Sequence, residues 1–171
     1  MKAFLILLLL QSLQLPPRVA VENPANVSPV PSKAKRDYDK LWARFVTGKE
    51  DVKLAKDLDK FLKKQKNLDA AVTIQAYIDL YQRNEGSAIR KFEQVLAVNP
   101  ANRIALYYLA ELAFVRDDYR QAGTLYSRLL SVDPTRTDLE AKQQKSLLLG
   151  TENLLRSAAK AEQENRLADA E

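Results

Sequence analysis

The chain has 171 residues, a formal net charge of +5 and neither histidine nor cysteine. It therefore lacks the commonest general base and most metal ligands, and its four widely spaced glycines cannot build a phosphate-binding loop. We predict that the chain is not an enzyme and that it holds no cofactor and no metal. The scarcity of glycine and the abundance of Ala, Leu, Lys, Glu and Gln favour an all-α fold.

Residues 1–20 are predicted as a signal peptide. Lys2 precedes the apolar run AFLILLLLQSLQL, and two prolines follow it, which is the order typical of a secretory signal. Arg18 occupies a position where a small residue is preferred for cleavage after Ala20, so a retained membrane anchor is the alternative. We expect an exported protein of the bacterial periplasm or cell envelope. Residues 21–36 contain three prolines and no aromatic residue, and are predicted as an extended linker.

Residues 37–66 are predicted as a helical hairpin in the place of a degenerate repeat. The apolar residues of its first helix recur at helical spacing: Tyr38, Leu41, Trp42 and Phe45. Gly48 follows where that helix would end. The second helix is rich in lysine over residues 53–66, which leaves open a basic module that contacts nucleic acid or an anionic membrane surface. Asp57 and Asp59 interrupt the lysines, so an exposed, solvated helix is the preferred interpretation and nucleic acid is disfavoured as a partner.

Residues 67–136 are predicted as two tandem copies of one unit. The stretches AAVTIQAYIDLYQRNEGSAIRKFEQVLAVNP and IALYYLAELAFVRDDYRQAGTLYSRLLSVDP align at a constant offset. Small residues and a closing proline coincide in the two copies: Ala71 with Ala105, Ala76 with Ala110, Ala88 with Ala122, and Pro100 with Pro134. A sequence period of this length indicates a solenoid, in which each unit packs on the next.

The second copy, residues 103–136, resembles the tetratricopeptide repeat family through Ala110, Ala122, Tyr126 and the closing VDP. The resemblance implies a right-handed superhelical α-solenoid of antiparallel helix pairs, in which Ala110 and Ala122 are buried at close helix contacts. It also implies a protein–protein interaction scaffold that binds a partner peptide or helix in a concave groove.

By the same resemblance, the first helix of each unit lines the groove. The residues expected to contact a partner are Thr73, Tyr77, Tyr81, Ile104, Tyr107, Tyr108, Glu111 and Phe114. Aromatic side chains suit a protein partner because they combine contact area with a polar group. Some family members clamp a terminal carboxylate with Lys, Asn and Arg residues. Thr73, Tyr77, Tyr107 and Glu111 do not match that set, so we do not expect this binding mode.

Residues 137–171 are predicted as a long helix followed by the start of an incomplete third unit. Aligning Leu106 with Leu154 also places Ala110 on Ala158, so the third unit would begin near residue 151. Two alternatives explain the missing second helix. The chain is the N-terminal repeat segment of a longer multidomain chain, or another subunit covers this end through self-association.

Overall fold

A computed structural model describes residues 13–48, 50–66 and 68–168, and within these ranges the chain is helical without any strand. Successive helices are joined by short connections as far as residue 132, and such connections make neighbouring helices antiparallel. The predicted all-α solenoid is confirmed. No helix in the described part of the chain is long and apolar enough to cross a membrane.

The hairpin that precedes the repeats consists of α1 (Ser32–Thr47) and α2 (Asp51–Lys64). Helix α1 begins inside the range predicted as a linker, because Ala34 and Tyr38 are both buried and hold its first turns against the core. Gly48 ends α1 in the left-handed conformation, with a φ of 68° that a residue with a side chain adopts only under strain.

The two repeats consist of α3 (Asp69–Tyr81) and α4 (Glu85–Val98), followed by α5 (Arg103–Val115) and α6 (Tyr119–Val132). The turn within each repeat has the same geometry, because Arg83 and Asp117 both have a φ of 60°. The next amide of each turn donates to a helix carbonyl: Asn84 N to Asp79 O over 2.8 Å, and Asp118 N to Ala113 O over 3.0 Å. These two turns are related by the offset that aligns the two sequence copies, so the sequence period is also a structural period.

The small residues shared by the two repeats are fully buried. Ala76, Ala88, Ala110 and Ala122 have no exposed surface, so the predicted burial of Ala110 and Ala122 is confirmed. Each of these side chains is a single methyl group, so the helix axes can approach closely and the larger residues around them can interlock.

The carboxy-terminal helix α7 (Glu140–Ala168) follows a short 3-10 turn and packs against α6 with its first third. Two glycines allow the close approach: Gly123 of α6 faces Leu147, and Gly150 of α7 faces the backbone of Arg120. From residue 151 to residue 164 every side chain is exposed. The start of a third unit at residue 151 stays a prediction, because the contacts of α7 with α6 come from the residues before it.

Residues 13–31, which we call the N-terminal segment, lie against the helices in an extended path. Two short 3-10 turns, Arg18–Ala20 and Pro24–Asn26, interrupt this path. Leu13 and Val21 belong to the main hydrophobic core. The part of the segment predicted as a linker is therefore packed on the domain. Residues 1–12 of the predicted signal peptide lie outside the described residues.

Candidate functional site

The predicted groove residues form one surface on α3 and α5, which we call the groove face. Five of them are buried: Thr73, Tyr77, Ile104, Tyr108 and Glu111. The other three are partly exposed: Tyr81, Tyr107 and Phe114. Burial comes from two sources. Some of these side chains pack between helices, and others are covered by the N-terminal segment.

Thr73 and Glu111 make contacts inside the repeat scaffold. The Thr73 hydroxyl donates to the Asp69 carbonyl of its own helix over 2.8 Å. Glu111 Oε1 accepts from the Tyr126 hydroxyl at 2.7 Å and from Lys142 Nζ at 2.6 Å, so it connects α5, α6 and α7. Because the Glu111 carboxylate is buried and doubly paired, its observed role is to hold these three helices together.

A cluster of aromatic rings supports the centre of the groove face. The Tyr108 ring stacks on Phe92 at a centroid distance of 5.4 Å, and it meets Tyr77 edge-on at 5.3 Å. Phe45 of the hairpin stacks on Tyr77 at 5.6 Å, which ties the hairpin to the first repeat. Such ring pairs stabilise the fold beyond the area they bury, and they fix the direction in which the Tyr77 hydroxyl points.

Tyr77 and Tyr81 of the groove face, and Arg83 just beyond α3, donate hydrogen bonds to main-chain carbonyls of the N-terminal segment. The Tyr77 hydroxyl donates to the Glu22 carbonyl over 3.2 Å, and the Tyr81 hydroxyl donates to the Pro16 carbonyl. Arg83 Nη1 donates to the Leu13 carbonyl over 3.2 Å. The α3 side of the groove face therefore binds a main-chain segment, although the bound segment belongs to the same chain.

Burial raises the pKa of the tyrosines in this surface. Desolvation raises the pKa of Tyr77 and of Tyr108 well above the ordinary value of 10.0. Desolvation also raises the pKa of Tyr81, although the nearby Arg18 guanidinium opposes the increase. All three hydroxyls therefore stay protonated to a higher pH than an exposed tyrosine, and Tyr77 and Tyr81 remain hydrogen-bond donors to carbonyl groups.

Arg18 connects the N-terminal segment to both helices of the hairpin and to α3. Its two terminal nitrogens donate to the two carboxylate oxygens of Asp51 at 2.7 Å and 2.5 Å, and Nη1 also donates to the Phe45 carbonyl at 3.2 Å. The guanidinium carbon lies 4.9 Å from the centre of the Phe45 ring and 4.7 Å from that of Tyr81. The cation is thus held by a carboxylate, a carbonyl and two aromatic rings.

The second half of the N-terminal segment is held by side-chain hydrogen bonds. The Tyr38 hydroxyl donates to Asn23 Oδ1 over 2.8 Å, and Asn102 Nδ2 donates to the Ser28 hydroxyl over 3.1 Å. Asn102 is buried, and its Oδ1 also caps α5 by accepting from an amide of that helix. Arg103 forms an ion pair with Glu22.

A cavity of about 230 Å³ remains between the N-terminal segment and α5. Tyr107 and Ile104 form part of its lining, together with Arg136, whose guanidinium carbon lies 5.2 Å from the centre of the Tyr107 ring. At the far end of the groove face, Phe114 packs edge-on against Tyr119, with Lys145 Nζ 5.5 Å from the Phe114 ring centre. These partly exposed aromatic rings are the predicted groove residues that the N-terminal segment leaves accessible.

Among the described residues, no three Asp, Glu, His or Cys side chains lie close enough together to hold one metal ion. Sequence reasoning missed Asp51 and Arg83, which bind the N-terminal segment. The sequence marked this part of the site only through Arg18, which stands where a cleavage site after Ala20 would prefer a small residue.

Residues 79–145 match a family model described as Tetratricopeptide repeat. The match begins in α3, includes both tight turns with positive φ and continues past Pro134 into the first part of α7. The family resemblance predicted from the residues is therefore confirmed. Among curated proteins, none matches the chain.

Proposed function

Since residues 79–145 belong to the tetratricopeptide repeat family, whose repeats generally mediate protein–protein interaction, we propose that this protein is a binding scaffold for an extended segment of a partner protein. The groove face is the proposed binding surface. The family is a non-enzymatic repeat scaffold, and we propose that this chain also lacks catalytic activity. The absence of histidine and cysteine from the sequence supports that part of the proposal.

The single observation that carries the proposal is the set of hydrogen bonds from the groove face and the adjacent Arg83 to a main chain. Tyr77, Tyr81 and Arg83 donate to carbonyls of residues 22, 16 and 13. Main-chain carbonyls are present in every peptide, so such contacts supply affinity, while pockets for side chains supply specificity. The N-terminal segment therefore serves as an internal example of the ligand that we propose.

The N-terminal segment also determines when a partner can bind. Because it occupies the groove face, a partner must displace it or bind after part of it is removed.

We propose export to a bacterial periplasm or cell envelope, supported by Lys2 and the apolar run that follows it. Mass spectrometry of the protein from its host should find an amino terminus at Val21. An intact Met1 in a membrane fraction would instead favour the retained anchor, and one in the cytoplasm would refute export.

Two further interactions stay predictions with some structural support. Self-association through α7 is supported by Leu148, Leu154 and Leu155, which are 61%, 64% and 66% exposed among the described residues. Contact of α2 with nucleic acid or an anionic membrane surface is less supported, because Asp57 forms ion pairs with Arg44 and with Lys60 and so reduces the positive charge of this helix.

Site-specific photocrosslinking in the native host tests the proposal. A photoreactive amino acid at Tyr107, which lines the remaining cavity, should give a discrete crosslinked partner. The same amino acid at Val98, an exposed position at the end of α4, is the matched control. Identical products at both positions would argue against partner binding on the groove face.

A further inference from the structure

The turn between α1 and α2 contains a site built for a guanidinium group. Helix α1 ends there, so the Phe45 carbonyl is among the last carbonyls of the helix and carries partial negative charge. Asp51 is the first residue of α2 and adds a full negative charge. Gly48 makes the tight turn that places both groups next to each other, because its φ of 68° reverses the chain directly after α1.

The site is nearly closed to solvent. The side chain of Arg18 is 14% exposed and that of Asp51 is 17% exposed. Arg18 itself supplies part of this cover, so its removal would leave Asp51 without a paired cation and let water or another cation reach the carboxylate. The rings of Phe45 and Tyr81 shield the cation and attract it through their negative faces.

The geometry discriminates between arginine and lysine. Two nitrogens of one planar group meet two carboxylate oxygens at 2.7 Å and 2.5 Å, while the plane of the same group lies near two aromatic rings. A lysine ammonium cannot make this paired contact and cannot stack. The site also recognises the backbone next to the arginine, because the Tyr81 hydroxyl donates to the Pro16 carbonyl two residues before Arg18.

From this arrangement we infer that Phe45, Asp51 and Tyr81 form an arginine-binding site, and that its ligand is an arginine in an extended, proline-containing segment of a partner protein. Arg18, which follows Pro16 and Pro17, fills the site within the chain. This inference rests on the proposed function, because it names the side chain that the groove face recognises in a bound segment. Cleavage after Ala20 would separate Arg18 from the domain and leave the site open to the partner's arginine.

The competition between the two arginines can be estimated from the tether. A segment joined to its site by a short chain acts at an effective concentration on the order of millimolar. A free peptide at micromolar concentration therefore competes poorly with Arg18 in the intact chain. When the tethered segment no longer occupies the site, the same peptide should bind without competition, and its affinity then depends only on its own contacts with the site.

The test uses fluorescence anisotropy with two labelled peptides. One has the sequence of residues 13–22, and the other carries the single change Arg18→Ala. Each is titrated with the intact full-length chain and with a full-length variant in which residues 13–20 are replaced by glycine and serine. The arginine peptide should bind the glycine-serine variant at least about tenfold more tightly than it binds the intact chain. The same variant should bind the arginine peptide at least about tenfold more tightly than the alanine peptide.

Two substitutions in the glycine-serine variant assign the effect to the site. Asp51→Asn removes the charge, and Tyr81→Leu removes one of the two rings while leaving the carboxylate; each should reduce the difference in affinity between the arginine peptide and the alanine peptide. Tyr81→Leu should also weaken both peptides, because its hydroxyl binds the Pro16 carbonyl that they share. Circular dichroism identifies a variant that fails to fold, in which case the other one decides. Equal affinity for the two peptides would overturn the arginine site and leave the groove-face proposal standing. No binding of either peptide to the glycine-serine variant would overturn both.

Discussion

Glycine-to-alanine substitutions should have opposite effects at two helical positions, and the sign tests how closely α7 packs on α6. Gly86 lies in the first turn of α4 and Gly150 in the interior of α7. Alanine in a helix is more stable than glycine by about 0.5–1 kcal/mol, because glycine loses more backbone entropy on folding. Helix propensity alone therefore predicts that both substitutions raise the free energy of unfolding.

The space around each Cα separates the two cases. A Cβ at Gly86 would meet only the end of the Arg90 side chain, at 3.8 Å, which is an ordinary contact. A Cβ at Gly150 would lie 3.3 Å from the backbone nitrogen of Arg120 and 3.5 Å from the carbonyl carbon of Tyr119. Backbone atoms cannot rotate away, so α7 would have to move from α6, and overpacking of this kind costs about 1–3 kcal/mol.

The expected results form a series. Gly86→Ala should stabilise the protein by about 0.5 kcal/mol, and Gly150→Ala should destabilise it by about 1 kcal/mol. Gly123→Ala should fall between them, because its Cβ would lie 2.9 Å from a methyl group of Leu147 whose side chain is partly exposed and can turn away. Thermal and urea unfolding followed by circular dichroism measure all three variants under one protocol. If Gly150→Ala stabilises the chain as much as Gly86→Ala, the close contact between α6 and α7 does not exist.

Three other predictions can be tested with the same purified protein. Ala122→Leu should lower the free energy of unfolding by about 1–3 kcal/mol, because Ala122 is fully buried between helices, and an unchanged midpoint would contradict its place in the repeat. The free energy of unfolding should decline above about pH 10. Burial raises the pKa of Tyr77 and Tyr126, so the folded state holds protons that the unfolded state releases. Tyr126→Phe should make this decline shallower, and equal slopes for the variant and the wild type would show that Tyr126 does not cause it. Changing Leu154 and Leu155 to lysine should leave the unfolding midpoint nearly unchanged while abolishing self-association in sedimentation experiments, and a strictly monomeric wild type would exclude that association.

The repeat helices could be predicted because their information is periodic and local. The offset that aligns Ala88 with Ala122 also relates the turn residues Arg83 and Asp117, which share a φ of 60°. Two copies of one pattern give two independent indications of the same helix pair. Apolar spacing likewise indicated the hairpin before the repeats, although α1 begins at Ser32 because its contact with the core extends further back than the periodicity shows.

The ligand-like path of the N-terminal segment could not be predicted, because its contacts are long-range and aperiodic. The hydrogen bond from Tyr81 to Pro16 spans 65 residues, and the contact of Arg18 with Asp51 spans 33. A proline-rich stretch without helical period has the same appearance whether it is solvated or bound. Its extended backbone has carbonyls free of helical hydrogen bonds in either case, and only the arrangement of donors on the groove face determines where they bind.

The groove residues illustrate the same limit within a single surface. The family resemblance placed Thr73 and Tyr77 one helical turn apart on one helix face, and the structure keeps that face. Their roles differ because the Thr73 hydroxyl is short and reaches the carbonyl of its own helix, whereas the Tyr77 hydroxyl extends to the main chain of another segment. Position on a helix face is set by the sequence period, but the bonding partner depends on side-chain length and on what lies opposite.

The order of contacts along the N-terminal segment determines what processing would expose. Cleavage after Ala20 would remove Arg18 and the carbonyls that bind Tyr81 and Arg83, while the contacts of Asn23 and Ser28 with the helices lie beyond the cut. The part of the groove face next to the hairpin would then be open, and the part next to α5 would stay covered. A partner segment would therefore enter beside Asp51 and meet the remaining chain near Val21, so the new amino terminus would itself form one wall of the binding site.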